Sequence, residues 1–165
     1  MGHAKKYHSA FGVYGIIEVN NSLVVIKKNG GPYINRYDLP GGSLEDSEAL
    51  QNAIIREIKE ETGLILKEIT QLGIKSFRYP WTYQKWQYNQ HICVFYQIPS
   101  TTGILKDQVS QFVDQNSLGA VGMPLDRLTL ANSSPQQTTH SKCFHGAGLF
   151  VRPINYHQML CASDE

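Results

Sequence analysis

Apolar positions recur along the chain in three rhythms. Residues 11–18 and 23–28 are nearly continuous apolar, β-rich runs, and Asn20-Asn21 between them is favourable hairpin chemistry. The chain is therefore expected to open as a β-hairpin. Asn29-Gly30-Gly31-Pro32 then reads as a loop, and Tyr37-Asp38-Leu39 as a short strand delivering the turn Pro40-Gly41-Gly42. The rhythm changes at Leu50, Ala53, Ile54, Ile55 and Ile58, which recur at intervals of three and four and predict an amphipathic helix. Thr62-Gly63 ends it, while Ser47 is the expected N-cap and Glu48 falls in the first turn, where a negative charge suits the helix dipole. Period two returns in residues 67–79 and 87–98, two long strands, the second alternating through His91, Cys93, Phe95 and Gln97. A polar loop over 99–116, a last strand over 117–123 and a short helix over 124–130 follow. Residues 131–165 are rich in Ser, Thr, Gln and His and carry no helical stripe, so their structure is undefined from sequence. With no repeats and no composition break, one domain over 1–165 is expected.

The helix carries more than a core stripe. Glu57, Glu60 and Glu61 stand at i, i+3 and i+4 and span an arc of roughly 100°. Like charges at this spacing cost an isolated helix roughly 0.2–0.5 kcal/mol per pair, and acids near a helix C-terminus oppose its dipole. A divalent cation reverses both penalties, and hard cations such as Mg²⁺ or Mn²⁺ take carboxylate oxygens and share them with substrate phosphates. The apolar sector lies about a quarter turn away, giving one side for the core and an adjoining side for ions. The glycine turn before the helix lets backbone groups approach a ligand closely.

Composition narrows the partners. The chain has 165 residues, 41% hydrophobic and 18% charged, with a formal net charge of +1. That balance points to neither nucleic acid nor membrane, so phosphate recognition has to be local. No apolar run approaches the ~20 residues of a membrane span, and MGHAKKYHSAFG has no signal-peptide hydrophobic region, which predicts a cytoplasmic protein. Cys93, Cys143 and Cys161 have neither CxxC nor zinc spacing and read as reduced thiols. His140, His145 and His157 are too irregularly spaced for metal ligation. The most unusual stretch places Phe77, Tyr79, Trp81, Tyr83, Trp86 and Tyr88 around Arg78 and Lys85. Rings there can stack on a nucleobase while cations reach phosphate, so Arg78, Tyr79 and Trp81 are candidate substrate contacts.

The stretch from Gly42 to Leu64 resembles the signature of the Nudix hydrolases, matching it at Gly42, Glu48, Arg56, Glu57, Ile58, Glu60, Glu61, Gly63 and Leu64 without departure. The resemblance implies an α/β Nudix fold, an α/β/α sandwich with a mixed, largely antiparallel sheet. It implies Mg²⁺ (or Mn²⁺) as cofactor, with Glu57, Glu60, Glu61 and the Gly41 carbonyl as metal ligands and one glutamate serving also as base. Arg56 would orient a glutamate, and Gly42, Glu48 and Gly63 would be structural. Arg36 and Tyr33, just before the glycine turn, would border the substrate. A further acid from the loop region is common in the family, and Asp114 and Asp107 are both candidates with no motif to choose between them.

The reaction implied is metal-dependent hydrolysis of the phosphoanhydride of a nucleoside diphosphate linked to another moiety. Pro80, 16 residues past Leu64, favours ADP-ribose or a nucleoside diphosphate sugar, since family members of that kind commonly carry a proline there. The alternatives are a (deoxy)nucleoside triphosphate pyrophosphohydrolase and a non-catalytic nucleotide-sensing Nudix module. An isomerase of allylic diphosphates shares the fold but departs in its signature. A small-molecule nucleotide is the expected partner, without nucleic acid or membrane, and the resemblance is compatible with a homodimer.

Overall fold

The computed structural model describes residues 6–111, 115–129 and 131–136. Its strands are β1 (Tyr7–Ile16), β2 (Glu18–Val19), β3 (Ser22–Lys28), β4 (Tyr37–Asp38), β5 (Gly41–Gly42), β6 (Ile65–Tyr83), β7 (Trp86–Thr102) and β8 (Ser117–Pro124), with the helix α1 (Leu50–Thr62) between β5 and β6. Single 3₁₀ turns form at Gly31–Tyr33 and Leu125–Arg127. One sheet has the order β5-β1-β7-β6; in the other β2, β3 and β4 are adjacent and β8 pairs with β3.

The expected opening hairpin forms only at its tip. Asn20 and Asn21 both take positive φ, 50° and 60°, as a two-residue primed turn requires, yet only Glu18 and Val19 pair across it. Most of the first run belongs to the other sheet, where β1 lies parallel to β7 from Tyr7↔Tyr88 to Ile16↔Gln97 and antiparallel to β5. The physical reason is burial on both faces. Residues 12–17 are all buried, which suits a central strand covered on two sides better than a hairpin arm.

Each sheet gives one face to α1 and the opposite face to a second core. Val13, Val24, Ile26, Val94, Tyr96 and Ile98 pack with Ala53, Ile54 and Ile58 of the helix. Their neighbours Tyr14, Leu23, Val25, Cys93 and Phe95 pack with Tyr33, Leu39, Phe77 and Tyr79. The chain crosses between the sheets twice, after Ile16 and again at Leu39-Pro40, and the Gly15 N–H donates to the Pro40 carbonyl at 2.9 Å to join the two crossings. The functional candidates gather at this seam.

The helix begins two residues later than Ser47 predicts. Ala49 is the N-cap, without a side-chain bond, and Ser47 sits at φ 61° in the preceding loop. Glu48 lies before the first turn because its carboxylate is used elsewhere, accepting the Glu45 N–H at 3.0 Å and the Arg56 guanidinium. Ile55, expected in the core stripe, is 47% exposed. The C-terminal expectation is met: Gly63 at φ 75° donates its N–H to the Lys59 carbonyl. Pro80 lies within β6 opposite Tyr88, just before an irregularity in the β6–β7 pairing, and not in a turn. No helix among the described residues is long and apolar enough to cross a membrane.

Candidate active site

Helix α1 turns two of its three acids inward. Glu61 is 4% exposed, and its Oε2 accepts the Gly41 N–H at 2.7 Å. Burial raises its carboxyl to about 8, with Glu57 and Asp38 adding repulsion against the relief supplied by Lys28 and the Gly41 bond. Glu57 stands beside it against the glycine turn, where a Cβ on Gly42 would lie 2.6 Å from Glu57 Oε1, so glycine is what lets the acid fit. Burial raises Glu57 as well, against the pull of Arg56. The division of the helix expected from the pattern is thus altered. Glu57 and Glu61 share the core-facing side, and Glu60 is exposed.

Arg56 ties the surroundings together. Its Nε and Nη2 donate to the two Glu48 oxygens at 2.9 and 2.8 Å, Nη2 also reaches the Ser43 carbonyl at 3.0 Å, and Nη1 reaches Glu57 at 2.9 Å and Glu60 at 3.4 Å. The same guanidinium holds the Glu48 carboxyl down to about 2. One planar fork therefore fixes the loop before the helix and two of the three helix acids.

Lys28 comes to the acids from the second sheet. Ile26 pairs with Asp38, so the period of two puts Ile26, Lys28 and Asp38 on one face, toward α1. Its charge lowers Asp38, Glu57 and Glu61 together. Asp38 is itself 2% exposed and raised to about 6 by burial, with its Oδ1 accepting the Leu39 N–H at 2.8 Å and the Ser134 hydroxyl at 2.5 Å.

Behind Asp38 lies a buried polar cluster. His91 Nε2 is 2.9 Å from the Tyr14 hydroxyl, and its Nδ1 is 3.1 Å from Gln136 Nε2 and 3.4 Å from the Tyr33 hydroxyl. With Nδ1 accepting from the Gln136 amide, the neutral ring carries its proton on Nε2. Burial first, and the positive Lys28 next, push His91 down to about 4. Gln136 is fully buried, and its Oε1 has no hydrogen-bond partner among the described residues. Tyr79 packs on Tyr33 with centroids 5.2 Å apart and accepts from Asn89, whose Oδ1 is 2.8 Å from His8 Nδ1.

The expected site residues separate accordingly. Glu57, Glu61, Gly41, Gly42, Arg56 and Glu48 come together. Tyr33 and Tyr79 are buried against one another, while Arg36 donates to the Ser133 carbonyl at 3.2 Å. Strand alternation puts Arg78 on the face opposite Tyr79 and Trp81, so these three do not face one ligand. Trp81 stacks on Tyr83 at 4.9 Å, and Lys85 sits 4.7 Å over the Trp86 ring. Asp107 is exposed beyond the helix C-terminus, and Asp114, like His140, His145, His157, Cys143 and Cys161, lies outside the described residues. Lys28, Asp38, His91 and Gln136 were not singled out from sequence. A lone acid inside the apolar run before a glycine turn was the available signal for Asp38; Gln136 had none.

Among the described residues no three His, Cys, Asp or Glu side chains are gathered closely enough to hold a metal ion as they stand. The donor chemistry nevertheless fits a hard cation. Two desolvated carboxylates repel one another beside a glycine turn with no room for a side chain, and a third stands four residues from Arg56 on the same helix.

These features define an α/β protein with a helix-borne acidic site at the seam of two sheets. Residues 6–142 match the NUDIX domain family, and the chain belongs to it. A 76-residue segment, 44% of this chain and 45% of the relative, is 46% identical to an ADP-ribose pyrophosphatase of Methanocaldococcus jannaschii. Another of 77 residues, 46% of this chain and 67% of the relative, is 31% identical to an 8-oxo-dGTP diphosphatase of Proteus vulgaris. The chain thus spans less than half the length of the first of these. A solved NUDIX hydrolase from Nitrosomonas europaea shares the fold, with a TM-score of 0.56, 20% identity, and coverage of 90% of this chain and 98% of that one.

Proposed function

We propose that this protein hydrolyses the phosphoanhydride of a nucleoside diphosphate linked to a second phosphorylated group, ADP-ribose or a nucleoside diphosphate sugar, using Mg²⁺ or Mn²⁺. The observation that carries this reading is the pair Glu57 and Glu61, desolvated side by side against Gly41-Gly42 with Lys28 opposite. Uncompensated buried carboxylates are costly, and a cation with a diphosphate supplies the missing charge balance. The M. jannaschii relative and Pro80 support the choice of substrate.

Glu57, Glu60 and Glu61 would hold the ion, which when bound supplies charge neutralisation of the diphosphate and a more acidic water. Arg56 fixes the orientation of Glu57 and Glu60. Lys28 faces the acids and is placed to take a phosphate oxygen once a cation relieves it of them. Glu61 Oε2 is committed to the Gly41 N–H, so Oε1 is the oxygen free to take a proton from water. The water oxygen forms a new bond to phosphorus, the anhydride P–O bond breaks, and its electron pair leaves on the departing phosphate. The products are a nucleoside monophosphate and a sugar phosphate.

The alternative, a (deoxy)nucleoside triphosphate pyrophosphohydrolase, has one observation in its favour: the P. vulgaris relative is an 8-oxo-dGTP diphosphatase and is matched over 67% of its own length. Phosphate release, after phosphatase coupling, across ADP-ribose, nucleoside diphosphate sugars, dinucleoside polyphosphates and (deoxy)nucleoside triphosphates tests both. Metal-dependent turnover of ADP-ribose that Glu61→Gln abolishes is expected. Preference for a triphosphate moves the substrate to the alternative, and nucleotide binding without any turnover replaces both with a sensing module.

A further inference from the structure

The outer face of α1, turned away from Glu57 and Glu61, lines a groove of ≈ 740 Å³. Asn52, Ile55, Arg56 and Lys59, spaced three and four apart, form one wall, and Lys106, Gln108, Val109 and Ser110 form the other. Its volume falls within the ~300–1,000 Å³ range of small-molecule sites.

The far wall is built in advance of any ligand. The Lys106 N–H donates to the Thr62 carbonyl at 2.9 Å, and the Ala120 N–H donates to the Lys106 carbonyl at 2.8 Å. Gln111 Nε2 donates to the Val109 and Ser117 carbonyls at 3.1 and 2.9 Å, and Asn29 Nδ2 anchors Gln111 at 3.0 Å. Gly119, at φ 133°, lets the loop press on β8, since a Cβ there would lie 2.2 Å from the Asp107 carbonyl. Loops left to solvent are rarely fastened at so many points.

The chemistry of the groove is mixed in a specific way. Ile55 offers an apolar floor that is 47% exposed, Asn52 and Gln108 offer amides, and Lys59 and Lys106 form no ion pair among the described residues. One end opens at Glu60 and Arg56, and so adjoins the acid site. An occupant here needs hydroxyls for the lysines and the amides and a hydrophobic ring face for Ile55. The pentose or hexose carried on a distal phosphate has both, while that phosphate itself stays with the acids.

We propose that this groove is the subsite for the sugar on the far side of the scissile anhydride, an inference resting on the reaction proposed above. The diphosphate lies at Glu57 and Glu61, the distal sugar passes over Glu60, and Lys106 donates to its hydroxyls. A substrate whose far side is bare pyrophosphate leaves the apolar floor and the amides empty.

The test uses the full chain and two readouts. KM and kcat for ADP-ribose and for dGTP are measured for wild type, Lys106→Ala and Gln108→Ala, with thermal melting as the folding control. Binding of ribose 5-phosphate and of inorganic phosphate is measured by calorimetry without nucleotide. Lys106→Ala is expected to raise KM for ADP-ribose about ten-fold, as the loss of one charge-assisted contact does, while KM for dGTP changes less than about two-fold. Ribose 5-phosphate binding should weaken in parallel. Equal effects on both substrates, no effect on either, or inorganic phosphate binding as well as ribose 5-phosphate overturns the subsite. Absence of turnover in the wild type overturns the reaction instead, and ribose 5-phosphate binding then decides the groove alone: binding lost in Lys106→Ala upholds it, and no binding overturns it.

Discussion

Glu61 is a carboxylate placed where water cannot stabilise its charge, and the cost falls on the metal-free protein. Its carboxyl titrates at about 8 when folded against 4.5 unfolded, so the native state holds a proton that the unfolded state releases between those values. Stability therefore falls as pH rises across that window, by an amount on the order of a few kcal/mol. Glu61→Gln removes the charge and keeps the shape. In EDTA at pH 8.5 the variant is expected to melt several degrees above wild type, with the difference closing by pH 5. Added Mg²⁺ should raise the wild type and leave the variant unmoved, which thermal scans with and without metal check. Arg56 behaves oppositely. It binds Glu48, Glu57, Glu60 and the Ser43 carbonyl at once, and a lysine has neither the fork nor the reach to replace it. Arg56→Lys should cost about 1–3 kcal/mol in urea unfolding and lower kcat by releasing Glu57.

At the level of elements, two turns carry strain that only particular residues tolerate. Asn20 and Asn21 both occupy the left-handed region, which asparagine accepts and alanine does not. Asn21→Ala should cost ~1 kcal/mol, and Asn21→Gly should be neutral or slightly stabilising, measured by denaturant midpoint. Gly41 is far less forgiving. At φ 143°, with the Val13 carbonyl 2.1 Å from any Cβ, Gly41→Ala displaces β5 from β1 and withdraws the N–H that Glu61 accepts. A loss of ~3 kcal/mol or more is expected, together with loss of turnover. These elements also show what was legible in the sequence. The helix, its glycine stop and its acids were readable because period and spacing are local. The destination of residues 11–17 was not, because an apolar run states that a strand is buried without stating beside which strand. Ser47 misled for the same reason: capping chemistry is local, but Glu48 was already claimed by Arg56, eight residues on. The polar cluster of His91, Tyr14, Tyr33 and Gln136 joins four distant parts of the chain, and no spacing rule announces it.

Across the whole molecule the buried titrating groups do not act in the same direction, and their sum fixes how the metal-free protein responds to pH. Asp38 is raised to about 6 from 3.8 and Glu61 to about 8 from 4.5, so each makes the fold less stable as pH rises through its window. His91 is lowered to about 4 from 6.5, so it makes the fold more stable as pH rises from 4 to 6.5 and less stable on acidification. Between about 4.5 and 6 these two acids oppose one histidine, between 6 and 6.5 Glu61 and His91 cancel, and above 6.5 Glu61 is the one of the three still titrating. Stability in EDTA is therefore expected to decline from about pH 4.5 to 6, level off to about 6.5 and decline again to about 8, unlike the usual maximum between ~5 and 8. His91→Gln removes the opposing contribution and should roughly double the slope between pH 4.5 and 6, while leaving it unchanged above 6.5. Saturating Mg²⁺ should remove the Glu61 contribution across its whole window, so that below pH 6 Asp38 and His91 nearly cancel and above 6.5 the decline disappears. Urea unfolding at half-unit pH intervals reads both slopes. A maximum near neutrality in EDTA would mean that Glu61 ionises freely in the fold, and that the acid site does not need a cation to balance it.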